Sequence, residues 1–371
     1  MSARHILESG DLLLGSPVRW NLYDQHGHLL LSQGQAVDNE ERLHWLERVA
    51  LKETSPTATT QPVFSRMNRA AQQLAELESQ LAQDATSPGY IPGIAALAEV
   101  VIDCVDDDAD AAFAAPHLDV RHGYGVLHHL MAAVICALLS GARGWPREAR
   151  QSLVAAALCH DIALLAHRQA IEQAETLPDN LKPAIRDHGP AAARSLEALG
   201  VKDALWLRTV RDHHEVIDGR GYPHGLTGEA IGEELRIMAL ADALSAMLRP
   251  RPYRPRFLAP DAVTDLYLNR EGRYDPLLID LLIDRIGVFP PGSTVRLANR
   301  EIAVTVRNRP DALQFPETYT LYNSHGRPLY QPYRRDTSDP EYLIVQLVPP
   351  ESCHGLRNRL EALWSATAGE H

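Results

Sequence analysis

The sequence predicts a mainly α-helical protein, with a small β-containing module before the helical region and a small β-rich appendage after it. Residues 95–290 are rich in Ala and Leu, and their apolar residues recur with the period of helices rather than alternating as in strands. Residues 291–371 contain β-branched and aromatic runs separated by turn residues, and then a short Leu-spaced helix. With 371 residues, 45% of them hydrophobic, the chain can form two or three folded domains, and global disorder is excluded.

The N-terminal module is expected to occupy residues 1–51. Two strand-type runs, VRWNLYD and HLLL, are joined by the turn signal DQHG. Asp38 and Glu41 then have the spacing of a capping box, in which side chains satisfy free backbone N–H groups at the start of a helix. We therefore predict two strands followed by a short helix that reaches about Val49.

Residues 52–94 are predicted to form a polar linker, up to Pro62, and one amphipathic helix. Apolar residues recur at steps of four and three from Val63 to Leu81, which gives this helix a heptad-like apolar seam. The seam fits either a two-chain coiled coil, and hence a homodimer, or a helix lying on its own domain. It has fewer than the roughly three to four heptads typical of coiled coils, which favours the second alternative. Pro-Gly pairs at 88–89 and 92–93 are then expected to break the chain.

One helix of residues 95–290 has both of its ends marked in the sequence. Pro190 precedes the segment AAARSLEAL, and Gly200 follows it. Proline favours the first helical position and glycine the position after the last one. A helix that begins near Pro190 and ends before Gly200 is therefore predicted, with His188 at its start.

Charge and cysteine content narrow the partners and the compartment. Asp and Glu number 48 against 36 Lys and Arg, a formal net charge of −12. So acidic a chain is a poor partner for nucleic-acid polymers and anionic membranes, which attract clustered positive charge. The four cysteines form no CxxC pair, the first residues lack the pattern of a signal peptide, and the apolar runs are shorter than the about 18 residues of a membrane span. We expect a cytoplasmic protein with reduced thiols.

Histidine is the unusual component, with 17 copies, and two aspartates in apolar surroundings accompany it. His160 and Asp161 follow the apolar run LVAAALC, and Asp242 has no charged neighbour within four residues. A buried carboxylate requires a cationic partner, which is either a distant arginine or a metal ion. Two such aspartates in one helical domain favour a shared metal ion.

A joint pattern of histidines and aspartates then indicates a metal centre. A single histidine of this kind is more often a hydrogen-bonded core or surface residue than a ligand. Imidazole nitrogens and carboxylate oxygens together suit first-row divalent metals such as iron, manganese, nickel or zinc. Seven such groups are too many for one ion and suit two ions in one cleft. The candidate groups are one of the pair His128 and His129, with His160, Asp161, His188, His213, His214 and Asp242, and the family resemblance below selects His128.

These residues resemble, in order, spacing and identity, the HD-GYP family of bacterial phosphodiesterases, a branch of the HD-domain metal hydrolases. The resemblance covers about residues 95–290 and includes HHEVIDGRGYP at 213–223 and RPYR at 251–254. It implies a helical HD-type metallohydrolase core with two divalent ions, iron or manganese before nickel or zinc, held by the seven groups. It also implies hydrolysis of cyclic di-GMP to the linear dinucleotide and, in many members, to GMP.

The resemblance assigns roles to further residues. His160 and Asp161 are expected to be catalytic, with Asp161 bridging the two ions. The segment Gly221, Tyr222 and Pro223 is expected to shape the substrate cleft or a surface for a protein partner. Two arginines of the RPYR segment are expected to meet substrate phosphates. From the residues alone, a solvated turn explains these arginines equally well, and a packed loop aromatic explains Tyr222 better than a base-stacking one. The two arginines are Arg251 and Arg254.

The sequence departs from the family at four positions, one of which is Ala163, in place of the glycine of the HD-x-G-K motif. Leu164 replaces the lysine of the HD-x-G-K motif, which is a cation expected near the scissile phosphate. Two alternatives follow. The chain is an active phosphodiesterase, or it is a cyclic di-GMP receptor or interaction protein with little activity. A phosphohydrolase for another cyclic dinucleotide is a third alternative. Tyr124 stands where members with three metals carry a glutamate, which predicts two ions. His129 stands where serine is common and is expected to be a bystander.

Overall fold

The computed structural model describes residues 3–7, 12, 14–18, 21–24, 28–32, 34–54, 61–174, 176, 178–249, 257–268, 272–349, 360 and 362–364. The described chain is mainly helical, with small sheets near both ends, as the sequence predicted. It divides into two compact units. Residues 1–65 and 291–371 form one unit together, and residues 66–290 form the other.

The first unit contains two antiparallel sheets and one short helix. A four-stranded sheet has the order β1-β4-β2-β3, and a five-stranded sheet has the order β8-β7-β6-β5-β9. The predicted C-terminal helix falls mainly outside the described residues. The elements are β1 (Ala3–Ile6), β2 (Leu22–Tyr23), β3 (Leu29–Leu31), α1 (Glu40–Val49), β4 (Leu51–Thr54), β5 (Thr294–Leu297), β6 (Ile302–Arg307), β7 (Glu317–Tyr322), β8 (Pro328–Asp336) and β9 (Ile344–Leu347).

Three details of this unit differ from the sequence prediction. Strand β4 lies in the segment that was expected to be a linker. It was not predicted because its sequence LKET has no alternation of apolar and polar residues, and because its partners β1 and β2 are distant in the chain. Strand β8 was not predicted, because it contains prolines; at the edge of its sheet, a missing N–H is tolerated. The side chain of Asn39, not Asp38, caps α1 by accepting a hydrogen bond from the Arg42 N–H at 2.8 Å.

The second unit consists of helices, and the first of them, α2, begins three residues before the unit boundary in the chain. Short 3-10 helices at Ile162–His167, Asp179–Leu181 and Gly228–Ala230 connect some of them. The helices are α2 (Val63–Gln83), α3 (Tyr90–Asp107), α4 (Ala109–Leu118), α5 (Tyr124–Ala142), α6 (Arg147–Cys159), α7 (Arg168–Gln173), α8 (Lys182–Ala198), α9 (Ala204–Asp212), α10 (Glu233–Met247), α11 (Ala259–Leu268) and α12 (Pro276–Ile286).

The apolar seam of α2 is buried inside the chain. Met67, Ala70 and Leu74 are fully buried, so α2 is the amphipathic helix of the single-chain alternative. Helix α3 begins at Tyr90, so the second Pro-Gly pair lies in its first turns, where proline is tolerated, and does not break the chain. A Cβ atom on Gly93 would lie 2.6 Å from a methyl carbon of Leu77, so this glycine permits close packing of α2.

Helix α5 is the centre of the second unit. It contacts α3, α4, α6, α10 and α12, and nearly all of its residues are buried. By length and composition, α5 and the stretch Arg147–Gln173 are apolar enough to cross a bilayer. The lengths of the apolar runs in the sequence predict no such segment. Since 89% of the α5 window is buried inside the protein, its apolar character is explained by its place in the core.

Helix α8 begins eight residues earlier than predicted. Pro183, in its first turn, is the proline that marks the start, and Pro190 lies in the interior, so His188 is a mid-helix residue. Gly189 brings α8 onto the end of α9. A Cβ atom there would lie 2.7 Å from the backbone oxygen of Arg211 and 3.1 Å from that of Val210.

Replacing this glycine tests the packing of the two helices. In Gly189→Ala the new methyl meets backbone, which cannot rotate away, so we expect a loss of about 1–3 kcal/mol in the free energy of unfolding. Urea denaturation measures it. Gly89→Ala is the matched control, because nothing lies within 4 Å of a Cβ at Gly89 and its φ is −83°. Equal effects of the two substitutions would contradict the packing argument.

Candidate metal centre

The structure brings all seven predicted ligands together in the second unit. One lies on α5, one on α8 and one on α10, and two pairs follow the ends of α6 and α9. The histidine rings contact one another, with centroid separations of 4.1–5.1 Å along the chain of neighbours. In the order of these helices, the residues are His128, His188, Asp242, His160 with Asp161, and His213 with His214.

Outer hydrogen bonds orient four of the imidazoles. A carbonyl only accepts, so a ring whose Nδ1 contacts a carbonyl carries its proton there and turns a lone pair on Nε2 inward. The Ser245 hydroxyl already donates to the carbonyl of Asp242, so it accepts from Nδ1 of His128 at 2.9 Å. The other three rings donate to the carbonyl three residues earlier: His160 to Ala157 (2.9 Å), His213 to Val210 (2.7 Å) and His188 to Ile185.

The inward nitrogen atoms are too close together for neutral rings alone. Nε2 of His128 lies 3.2 Å from Nε2 of His160, and Nε2 of His188 lies 3.0 Å from Nε2 of His213. Facing lone pairs repel unless a proton or a metal ion lies between them. Burial lowers the pKa of His128 to about 4, and burial with the neighbouring His214 ring holds the pKa of His213 far below its usual value. Protons are therefore costly on these two rings, and the donor set fits divalent metal ions.

The two aspartates supply negative charge at the middle of the cluster. Oδ1 of Asp161 lies 2.9 Å from Nε2 of His188, and its Oδ2 lies 3.8 Å from Nε2 of His160. Oδ1 of Asp242 lies 3.1 Å from Nε2 of His128. Burial opposes ionisation of both carboxyls, but the surrounding imidazoles outweigh it and hold both pKa values well below the usual range. Asp161 also raises the pKa of His188 to about 8 against the effect of burial.

Within the described ranges, three groups of donor atoms are compact enough to hold an ion, and two of them share His160. The donor atoms of each group lie within 4.8 Å of one another. The two oxygens of Asp161 face different imidazoles, so this carboxylate joins the groups. The groups are His188, His213 and His214; His128, His160 and Asp242; and His129, His160 and Asp161.

Two residues of the cluster were not found from the sequence. His129, expected to be a bystander, is fully buried, and its Nε2 lies 3.8 Å from Oδ2 of Asp161. Its Nδ1 contacts Oε1 of Glu78, on α2, at 2.7 Å. Glu78 lies 51 residues earlier in the chain. No local sequence signal connects it with His129.

A cavity of about 550 Å³ opens above the cluster. His213, His214 and Asp242 line it on the cluster side. Two arginines and two tyrosines line it elsewhere, which is a combination suited to phosphates and flat bases. The tyrosine and arginine just before α12 were not predicted, because only the fold brings that segment to the cavity. These four residues are Arg220, Tyr222, Arg273 and Tyr274.

Three of the five predicted substrate-binding residues lie in the described part of the chain. Gly221 and Tyr222 line the cavity, and the Tyr222 ring lies 4.7 Å from the ring of His214. Pro223 follows through a cis peptide bond and is exposed. The other two, in the RPYR segment, lie outside the described residues: Arg251 and Arg254.

Glu215 organises the loop that carries Tyr222. This fully buried carboxylate accepts hydrogen bonds from the backbone N–H groups of His224, Gly225 and Leu226, at 2.5–3.0 Å. A Cβ atom on Gly221 would lie 2.5 Å from Cα of Glu215, so this glycine lets the loop lie against the segment after α9. The third residue of the HHE motif therefore binds the loop.

Residues 105–278 match the family model described as the HD domain. The chain carries an HD domain of the HD-GYP type. It is 26% identical over 205 residues to a cyclic di-GMP phosphodiesterase from Pseudomonas aeruginosa, covering 55% of this chain and 49% of that protein. It is 29% identical over 168 residues to 3'3'-cGAMP-specific phosphodiesterase 1 from Vibrio cholerae, covering 45% and 39%. The chain thus spans about half or less of the length of these relatives.

A solved structure supports the fold of the HD-GYP domain. An HDG"Y"P protein from Bdellovibrio bacteriovorus matches with a TM-score of 0.52 and 15% identity, covering 76% of this chain and 98% of that one. At this identity the match shows the fold alone. The helical HD-type core predicted from the sequence is confirmed.

The role of Glu215 can be tested by removing its charge. In Glu215→Gln an amide NH₂ faces backbone N–H groups, so at least one buried donor loses its acceptor, and we expect a loss of about 1–3 kcal/mol in the free energy of unfolding. Cleavage by a protease within residues 219–226 should also become faster. Denaturant titration and mass mapping of the cleavage sites are the measurements. Glu229→Gln, at an exposed position, is the control, and a similar loss there would contradict the assignment.

Proposed function

We propose that the HD-GYP domain hydrolyses the phosphodiester bonds of cyclic di-GMP, giving the linear dinucleotide and then GMP, with two divalent metal ions, iron or manganese. One observation carries the proposal. The two oxygens of Asp161 face two different sets of inward imidazole nitrogens beside a cavity whose lining includes two arginines and two tyrosines. The similarity to the cyclic di-GMP phosphodiesterase from Pseudomonas aeruginosa, over 205 residues, supports this substrate.

The chain's own residues suit each requirement of this reaction. Two bound ions would hold the phosphate and supply hydroxide at neutral pH. Asp161 would hold both ions, one through each oxygen, and the Ala157 carbonyl keeps the ring of His160 fixed. The two carboxylates of the ligand set offset only half the charge of two divalent ions, so the centre attracts a phosphodiester although the whole chain carries a net charge of −12.

The cavity supplies recognition of the rest of the substrate. Its volume of about 550 Å³ lies within the range of small-molecule sites, roughly 300–1,000 Å³. The guanidinium of Arg273 lies 5.5 Å from the ring centre of Tyr274, so a phosphate and a guanine base can be bound side by side. Arg251 and Arg254 are proposed to complete the phosphate contacts, and Gly221, Tyr222 and Pro223 to shape the cleft and to offer a surface for a protein partner. The cytoplasm is the proposed compartment.

Two other functions are each favoured by one observation. Leu164, half-buried just after Asp161, supplies no cation for the transition state, which favours a cyclic di-GMP receptor. The similarity to a 3'3'-cGAMP-specific phosphodiesterase favours another cyclic dinucleotide as substrate.

A turnover assay separates these functions. Protein purified without oxygen and loaded with Fe²⁺ or Mn²⁺ should convert cyclic di-GMP to linear product, followed by chromatography, with 3'3'-cGAMP assayed in parallel. The variant His160→Ala, Asp161→Ala should lose bound metal, by elemental analysis, together with activity. Binding without turnover in the metal-loaded protein would establish the receptor, and full activity of the double variant would mean that the centre is misassigned.

Restoring the missing cation tests the effect of Leu164. In Leu164→Lys an ammonium would stand near the scissile phosphate, and we expect kcat to rise by about tenfold or more, since a single electrostatic donor contributes about 2.7–4 kcal/mol in comparable sites. Single-turnover measurements at saturating substrate give the rate of the chemical step. The control is Leu165→Lys, which adds the same charge one residue away. An unchanged or equally changed rate in both variants would count against a role for this position.

A further inference from the structure

His129 presents an unused nitrogen atom to the metal cluster. The ring is fully buried, and its Nε2 has no hydrogen-bond partner within the part of the chain that the structure describes. That nitrogen lies 3.8 Å from Oδ2 of Asp161, and the ring lies 4.8 Å from the ring of His160 in an edge-to-face arrangement. A buried imidazole nitrogen normally finds a partner, so this orphan atom requires an explanation.

The other nitrogen of His129 is held by a buried charge pair. Nδ1 contacts Oε1 of Glu78, whose other oxygen accepts a hydrogen bond from Arg168. Burial would raise the pKa of Glu78, but His129 and Arg168 outweigh it and lower this pKa to about 2. Glu78 is therefore an anion that accepts the Nδ1 proton, and Nε2 of His129 faces Oδ2 of Asp161.

We propose that His129 is an eighth metal ligand, positioned by Glu78, and that it shares an ion with His160 and Asp161. The proposal rests on the metal centre of the proposed function and extends its ligand set. The donor atoms of these three residues lie within 4.8 Å of one another. A carboxylate that accepts from Nδ1 of a ligating histidine is a common arrangement, because it fixes the ring and makes Nε2 a stronger donor.

A protonated His129 without a metal is the competing explanation. An imidazolium there would lie between the carboxylates of Glu78 and Asp161. The charge of Glu78 is already balanced by the guanidinium of Arg168, so a second cation is not needed on that side. On the Asp161 side, the separation of 3.8 Å is too long for a hydrogen bond but leaves room for an ion between the two donor atoms.

Metal affinity measured without substrate tests the proposal. His129→Ser should weaken binding of Mn²⁺ to one ion by at least about tenfold, or remove one ion from the protein, because second-sphere changes alone cost about 10–100-fold. Competition with a chelating dye gives the affinity, and elemental analysis gives the number of ions. His122→Ser is the matched control, since His122 pairs with Asp119 and belongs to none of the donor groups. Unchanged affinity and ion count in His129→Ser would overturn the proposal.

A second pair of variants keeps the result clear if His129→Ser folds poorly. His129→Gln preserves the size of the side chain, and Glu78→Gln removes only the charge behind the ring. We expect reduced affinity in both, with the smaller loss in Glu78→Gln, and a changed visible spectrum of the Co²⁺-loaded protein in His129→Gln. An unaltered Co²⁺ spectrum would mean that His129 does not ligate the ion. Absence of metal in the wild-type protein would instead refute the proposed function.

Discussion

Repulsion between the inward-facing lone pairs of the histidine nitrogens is the constraint on which the candidate metal centre depends. Outer hydrogen bonds fix the protons of four histidines on Nδ1, so that their Nε2 atoms meet at about 3 Å in the interior. Burial makes protonation of His128 and His213 costly. The surrounding helices must therefore supply the stability that holds the nitrogens together, and a cation turns the repulsion into attraction. The arrangement that brings these lone pairs together therefore suits a metal ion.

Backbone packing provides this support at the points where ligands meet. Gly189 lets α8 touch the carbonyl groups at the end of α9, which places His188 beside His213. Gly221 does the same for the loop after α9, and Glu215 fixes that loop by accepting three backbone N–H groups. Contacts between main chains thus set the positions of these two imidazoles. Rotation of side chains cannot relieve contacts of this kind.

Local patterns in the sequence predicted the parts of the structure that depend on local interactions. The helical region and the buried seam of α2 follow from apolar periodicity, and the seven donors follow from motif spacing. The start of α8 was misplaced, because Pro183 and Pro190 give the same signal and only packing distinguishes them. Glu78 could not be connected with His129, because residues 51 positions apart carry no mutual signature. Arg273 could not be assigned to the cavity either, because only the fold brings the segment before α12 there.

The position of Glu78 has a consequence for where the functional domain begins. The family match starts at residue 105, and all seven predicted donors lie after it. Helix α2, which precedes the match, nevertheless places a buried anion behind one ring of the cluster. A fragment cut at the family boundary would keep every motif and lose that anion, leaving Arg168 and His129 without their shared carboxylate. The smallest fragment that keeps the whole cluster and its surroundings is therefore longer than the recognisable motif region, and deletion studies should start upstream of Val63.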